Sequence, residues 1–316
     1  MSEVNSKPGR TKRFSYPCQN AIMKHLRIEI RYRLVHKTQS HYLNATNNSV
    51  PFKFDSIQIS IQKIVFHDHW YWHMFRGKIE IQGFPKRKIV KHNISPRVQE
   101  YQSMTTICNF FLDRPGTVIK KLNVMSTEAL EYIPNVYVSD EVIIWNHDYI
   151  PMDFYKKICP YKAIKKAIVY NDGGDLALFS LPMIATALEW HVHFDLPIKV
   201  FLDSMVQTVT WESHGIPYDT IAQIFENWKA TNRPLGTYFQ LKTANKVPLL
   251  EMASNLPTAR VIGSSSPLNA DSMVVLELDH GNSIRVYIEK KAGLIMQVVN
   301  VIEEPPRKHR CSCTIL

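Results

Sequence analysis

Five short runs rich in β-branched and apolar residues punctuate the middle of the chain: VIKKLNV (118–124), EVIIWN (141–146), IKKAIVY (164–170), LEWHVHF (188–194) and MVQTVTW (205–211). They recur at intervals of roughly 18 to 24 residues, the period of leucine-rich-repeat units. A strand of this kind has one apolar side that it cannot bury alone, so successive units must stack to share a core. Segments such as YIPMDFYKKI and FSLPMIATA lie between the runs and are long enough for a helix or an irregular crossover. The spacing therefore predicts an α/β fold, an irregular leucine-rich-repeat-like curved sheet over residues 117–302, in which successive strands run parallel.

The pattern changes on either side. Residues 1–14 are polar and basic and are expected to be disordered. Residues 15–48 read as a helical module: Pro17 suits a first helical turn, Ile22, Leu26, Ile30 and Leu34 recur every four residues, and the NATNNS run at 44–49 is expected to end the element. Residues 49–116 form a β-rich section, in which FDSIQISIQKIVF and GKIEIQG alternate apolar and polar positions. SMTTICNFFLDRPG closes it with a helix whose stripe is Met104, Ile107, Cys108, Phe111 and Leu112, terminated by Arg114, Pro115 and Gly116. Downstream, Ile221, Ile224, Phe225 and Trp228 share one face of a helix that begins near Pro217 and Asp219. GTYFQLKT reads as a strand and VPLLEMASNL as a short helix. SMVVLELD, SIRVYIE and GLIMQVVNVI then form a C-terminal antiparallel β-meander.

Composition narrows the function classes. With 45% hydrophobic residues the chain can bury a sizeable core. Its longest apolar stretch, 176–188, is interrupted by Pro182 and is too short to span a bilayer. Cysteines 18, 108, 159, 311 and 313 show no disulfide spacing, and no secretory signal opens the chain. They read as reduced thiols of a cytoplasmic protein, in which the sequons at Asn44, Asn47 and Asn93 stay unmodified. The net charge is +10, and residues 1–121 alone hold 21 Lys or Arg against 7 Asp or Glu. These basic residues are dispersed, so solvated element faces account for them better than a nucleic-acid interface does, and no nucleic-acid-binding motif is present.

Catalytic and metal chemistry find little footing. No phosphate-binding glycine loop and no G-x-S-x-G elbow occurs. Asp172, Gly173 and Gly174 mark a turn, and Cys159 has no assignable histidine partner. FHDHWYWHMF (66–75) puts His67, His69 and His73 on one side if it is extended, and His191 and His193 repeat that spacing, but no cysteine or carboxylate cluster completes a zinc site. In LEWHVHF the more direct reading sends Trp190, Val192 and Phe194 to the core and the two histidines to water. No enzyme, cofactor, metal or small-molecule substrate is expected. His191, His193, Gln207 and Thr210, taken as exposed residues of the repeat strands, are the candidate surface for a protein partner.

The sequence ends RKHRCSCTIL. Cys313 with Thr314, Ile315 and Leu316 fits the C-a-a-X pattern, with the final Leu favouring geranylgeranyl. One prenyl chain anchors weakly, and Arg307, Lys308 and Arg310 against anionic lipid, or palmitate on Cys311, would supply the second signal. Residues 303–316 are thus expected to be a flexible tail that adds membrane association. A prenylated peripheral membrane scaffold is the alternative function, and a nucleic-acid binder using the basic half ranks behind it.

Three stretches, SYPCQNAIMKHLRIEIRYRLV with NNSVPFKFDSIQI, NFFLDRPGTVIKKLNV, and FENWKATNRPLGTYFQL, together resemble an F-box-associated family of unknown function that is greatly expanded in nematodes. The resemblance spans nearly the whole chain. It implies a substrate-recognition adaptor for a cullin-type ubiquitin ligase, with an F-box-like N-terminus that docks a Skp-type adaptor. The helical module is shorter than a complete three-helix F-box. Within the third stretch Trp228, Arg233, Pro234, Gly236 and Thr237 read as structural, because Pro and Gly punctuate a helix-to-strand turn.

Overall fold

The computed structural model describes residues 15–26, 30, 31, 34, 35, 38, 40–60, 62–66, 70–75, 78–83, 90–93, 100–146, 152–171, 176–213, 216, 217, 219–263, 272–278, 281–289 and 292–300. Helix α1 (Tyr16–His25) carries Pro17 in its first turn and buries Met23. The four-residue stripe expected to face the core does not: Ile22 is 43% and Ile30 39% exposed. The reason is local, since the backbone turns extended at Leu26 (ψ 136°) and the spacing never continues along one helix. Helix α2 (His41–Ser49) starts at Ser40, whose hydroxyl accepts from Leu43 N. It contains the NATNNS run that was expected to end the helical section. Thr46 and Asn47 are buried there, and Asn47 Oδ1 accepts from Arg31 Nε at 3.0 Å. A tertiary partner thus engages the Asn47 side-chain carbonyl oxygen, although Asn47 Nδ2 and Asn44 Oδ1 are buried without a hydrogen-bond partner among the described residues.

Two buried arginines join these helices to the body. Arg31 donates to the carbonyls of Asn47, Val50 and Pro51, at the C-terminal end of α2. Arg114 donates from Nε to Phe110 O and from Nη1 to Asn47 O. Both guanidinium groups lie over the Phe52 ring, at 3.9 and 4.4 Å. Burial lowers the pKa of each to about 10, and for Arg114 the charge of Arg31 adds to the effect. Both therefore remain charged at neutral pH, held by the negative ends of helices and by the ring face.

Strands β1 (Lys53–Ser60), β2 (Lys63–Phe66), β3 (Trp70–Phe75), β4 (Lys78–Gly83) and β5 (Val90–Asn93) form an antiparallel meander. Helix α3 (Glu100–Leu112) buries Met104, Ile107, Cys108, Phe111 and Leu112, the stripe read from the sequence, and Gly116 takes φ +78° in the turn beyond. The chain then builds β6 (Val118–Val124), β7 (Val136–Asn146), β8 (Ile158–Pro160), β9 (Lys166–Asn171), β10 (Glu189–Val192), β11 (Thr208–Glu212) and β12 (Tyr238–Lys242). Among the described residues the connections carry the short helices α4 (Met152–Tyr155), α5 (Pro182–Ala185) and α6 (Ile198–Leu202), two 3-10 turns, and α7 (Thr220–Thr231) before β12. After β12 come α8 (Lys246–Ser254), β13 (Ala259–Ile262), β14 (Met273–Glu277), β15 (Asn282–Glu289) and β16 (Gly293–Asn300).

All sixteen of these strands belong to one mixed sheet. Strands β1, β6, β7, β9, β10, β11 and β12 lie side by side in chain order, each parallel to the next. The closing meander pairs back antiparallel through β16 on β12. Register makes one apolar row across the parallel strands, namely Ile57, Leu122, Val142, Ala167, Trp190, Val209 and Phe239, each at most 3% exposed. These residues share one core with α3, α7 and α8. Trp228, Ile221, Ile224 and Phe225 of α7 are buried in it, and Asn232 caps the helix in the left-handed region at φ 47°. Arg233 then donates from Nη2 to Ser204 O and Leu202 O, and the Pro234 carbonyl accepts from Thr237, so the motif residues of this turn hold structure.

Candidate interaction face

Side chains alternate across a strand, so the residues between the core positions define the other face of the parallel stretch. Three rows cross it in register. The first runs Lys121, Glu141, Lys166, Glu189, Thr208 and Tyr238, with Lys121 Nζ 3.6 Å from Glu141 Oε2 and Lys166 Nζ 4.0 Å from Glu189 Oε1. The second runs Asn123, Ile143, Ile168, His191, Thr210 and Gln240. Above them, at the carboxyl ends of the strands, stand Trp145, Tyr170, His193, Glu212 and Lys242.

The third row is built around a stack. Trp145 and Tyr170 lie parallel with centroids 3.7 Å apart, and Tyr170 stacks on His193 at 4.2 Å. Trp145 Nε1 donates to Asn123 Oδ1, His193 Nδ1 contacts Glu212 Oε2 at 3.1 Å, and Lys242 Nζ stands 3.7 Å from the same carboxylate. His191 Nε2 contacts Glu189 Oε1 one row below. Burial lowers the pKa of both histidines and outweighs the glutamates that pull the other way. Across these rows three lysines meet three glutamates, so the basic excess of the chain is not gathered among them.

The sequence-derived surface residues separate on this face. His191 and His193 stand on it, half-buried, while Trp190 and Val192 face the core as expected. Phe194 is only partly buried against that core. Gln207 is exposed in the bend before β11, and its carbonyl accepts from Tyr238 N. Thr210 corrects the expectation of exposure: it is 4% exposed, its hydroxyl donating to Gln240 Oε1 at 3.2 Å. A short side chain between the longer His191 and Gln240 is covered by them. Reading single strands missed Trp145, Tyr170, Glu212 and Lys242, and the available signal was the alternation of EVIIWN, IKKAIVY and TVTWE taken in register.

A recess of about 290 Å³ opens at the upper margin of the same face, lined by Glu212, Ser213, Lys242, Thr243, Ala244, Lys246 and Ala292. It lies where the sheet changes from parallel to antiparallel, at β12 and β16. Gly293 permits the close approach of β16 to β12: it has φ +114°, and a Cβ there would meet Leu241 O at 2.2 Å.

Elsewhere the chemistry is sparse. Among the described residues no group of three His, Cys, Asp or Glu is placed to hold a metal ion. Cys108 is fully buried, and desolvation pushes its thiol up to about 12, which makes it inert as a nucleophile at neutral pH. His67, His69, Asp172, Gly173, Gly174 and the tail residues Arg307, Lys308, Arg310, Cys311 and Cys313 lie outside the described residues, and of His73 only the backbone, in β3, is described. No helix among the described residues is long and apolar enough to cross a membrane. Comparison with protein-family models, with curated proteins and with solved structures finds no match to this chain.

Proposed function

We propose that the chain is a non-enzymatic interaction module that receives another protein on the open face of its parallel strands. One observation carries this reading. The apolar row shares the core with α3, α7 and α8, while the opposite face presents half-buried aromatic and paired charged side chains. Aromatic side chains held rigid by stacking suit a binding surface because little conformational entropy remains to be lost on contact. Balanced charges favour a protein over a nucleic acid, whose phosphates require a net positive surface. The sheet is best described as leucine-rich-repeat-like and curved, a reading supported by strands β6 to β12 advancing in chain order without reversal.

Capture through this face is testable. A double Tyr170→Ala, His193→Ala variant should retain the melting transition of the wild type within a few degrees and lose at least tenfold in affinity for the protein that co-purifies with the wild type. Equal capture by the variant and the wild type removes the face from the interaction.

Within this reading the partner system is a cullin-type ubiquitin ligase, with a Skp-type adaptor on the N-terminal helices. Tyr16, Ile22 and Ile30 are exposed there at 56%, 43% and 39%, large apolar side chains outside the buried core. Purified Skp-type adaptor should bind the full chain and bind an Ile22→Ser, Ile30→Ser variant more weakly; absence of binding to the wild type rejects the ligase role. No observation among the described residues favours the alternative of a prenylated scaffold.

A further inference from the structure

We infer that the recess between β12 and α8 is the seat for a single carboxylate side chain of the protein partner, so that the open face reads an acidic residue at its upper margin. This rests on the proposed docking face, with which the recess is continuous: Glu212 and Lys242 belong both to the third row and to the lining.

The lining has the chemistry of an acceptor-binding site with one charge to spare. Lys242 is already shared with Glu212 at 3.7 Å. Lys246, half-buried in the first turn of α8, forms no ion pair among the described residues. Among the lining side chains two lysines stand against one glutamate, with the Asp195 carboxylate behind Ser213 outside the lining, so the recess itself presents an excess of one positive charge, which one carboxylate neutralises and a phosphate dianion exceeds. The buried Thr243 hydroxyl accepts from Asn245 N at 3.4 Å and keeps its own proton for an incoming oxygen. Ser213 is committed elsewhere, its hydroxyl donating to Asp195. The recess is therefore one cation and one hydroxyl donor wide, a geometry that a carboxylate with two oxygens fills.

The test uses the full chain labelled with 13C at alanine and threonine methyl groups. Ala244, Ala292 and Thr243 report the recess directly. Titration with N-acetylglutamate α-amide should shift these signals saturably, in the millimolar range expected of one exposed ion pair with a hydrogen bond. N-acetylglutamine amide should leave them in place, and inorganic phosphate should bind at least threefold more weakly than the glutamate probe. Lys246→Gln should abolish the shifts, Lys246→Arg should keep them, and Lys229→Gln on α7 should have no effect. Equal response to the glutamate and glutamine probes, stronger binding of phosphate, or no saturable shift in the wild type each overturns the assignment. The probe contains no other part of a partner, so a negative result here leaves capture through Tyr170 and His193 standing, and the converse also holds.

Discussion

At the scale of single residues, His191 and His193 couple the open face to pH. Burial holds their native pKa values below the unfolded value of 6.5, so the unfolded chain binds more protons as the solution becomes acidic. The stability involved is fully present above pH 6.5 and declines as pH falls through 6.5 toward the native pKa values. Denaturant midpoints measured from pH 7.5 downward should fall across that window, and a His193→Gln, His191→Gln variant should show a shallower fall over the same range. The charged groups facing them are Glu189 and Glu212, with Lys166 and Lys242 beside those carboxylates. Gly293 is a second decisive position. Gly293→Ala forces a Cβ against Leu241 O from a left-handed backbone, and urea unfolding should show a loss of at least about 2 kcal/mol.

At the scale of elements, helix α7 shows how far periodicity alone can carry a reading. Ile221, Ile224, Phe225 and Trp228 were legible as one face from their spacing, and each is buried. Trp228→Ala should destabilise the fold by about 3–5 kcal/mol in chemical denaturation, the range for truncating a large buried aromatic. A loss below 1 kcal/mol would mean that the site collapses around the change. Helices α1 and α2 teach the opposite lesson. Ile22, Leu26, Ile30 and Leu34 carry a helical spacing, yet the chain leaves the helix at Leu26, and Met23 rather than Ile22 finds the core. The Asn-rich run of α2 is helical because Arg31 and Arg114 reach its C-terminal carbonyls, and those contacts join residues 16 and 67 positions apart. Spacing within one segment holds no record of such partners.

At the scale of the whole molecule, one sheet runs unbroken from β5 to β13. Strand β1 pairs with β6 across position 117, and Phe52 N donates to Thr117 Oγ1. A fragment of residues 117–302 would expose the β6 edge and lose the cover that α3 gives the core. It should therefore show poor amide dispersion and no cooperative melt, whereas the full chain melts cooperatively; a well-dispersed fragment spectrum would establish an independent unit. The continuity also bears on function, because the open face can span several strands without a hinge between them.

Much of this architecture was determined by the sequence itself. The recurrence of β-rich runs dictated parallel strands in chain order, and alternation within each run dictated which side chains make the core, because both depend only on the two-residue period of a strand. What only tertiary structure decided was the content of the other face. Trp145, Tyr170 and His193 are brought together across separate strand segments, and Lys242 and Lys246 line one recess beside the place where Gly293, about fifty residues further on, approaches the Leu241 backbone. Register and the approach of distant backbone bring those groups together, and neither leaves a mark on any short stretch of chain.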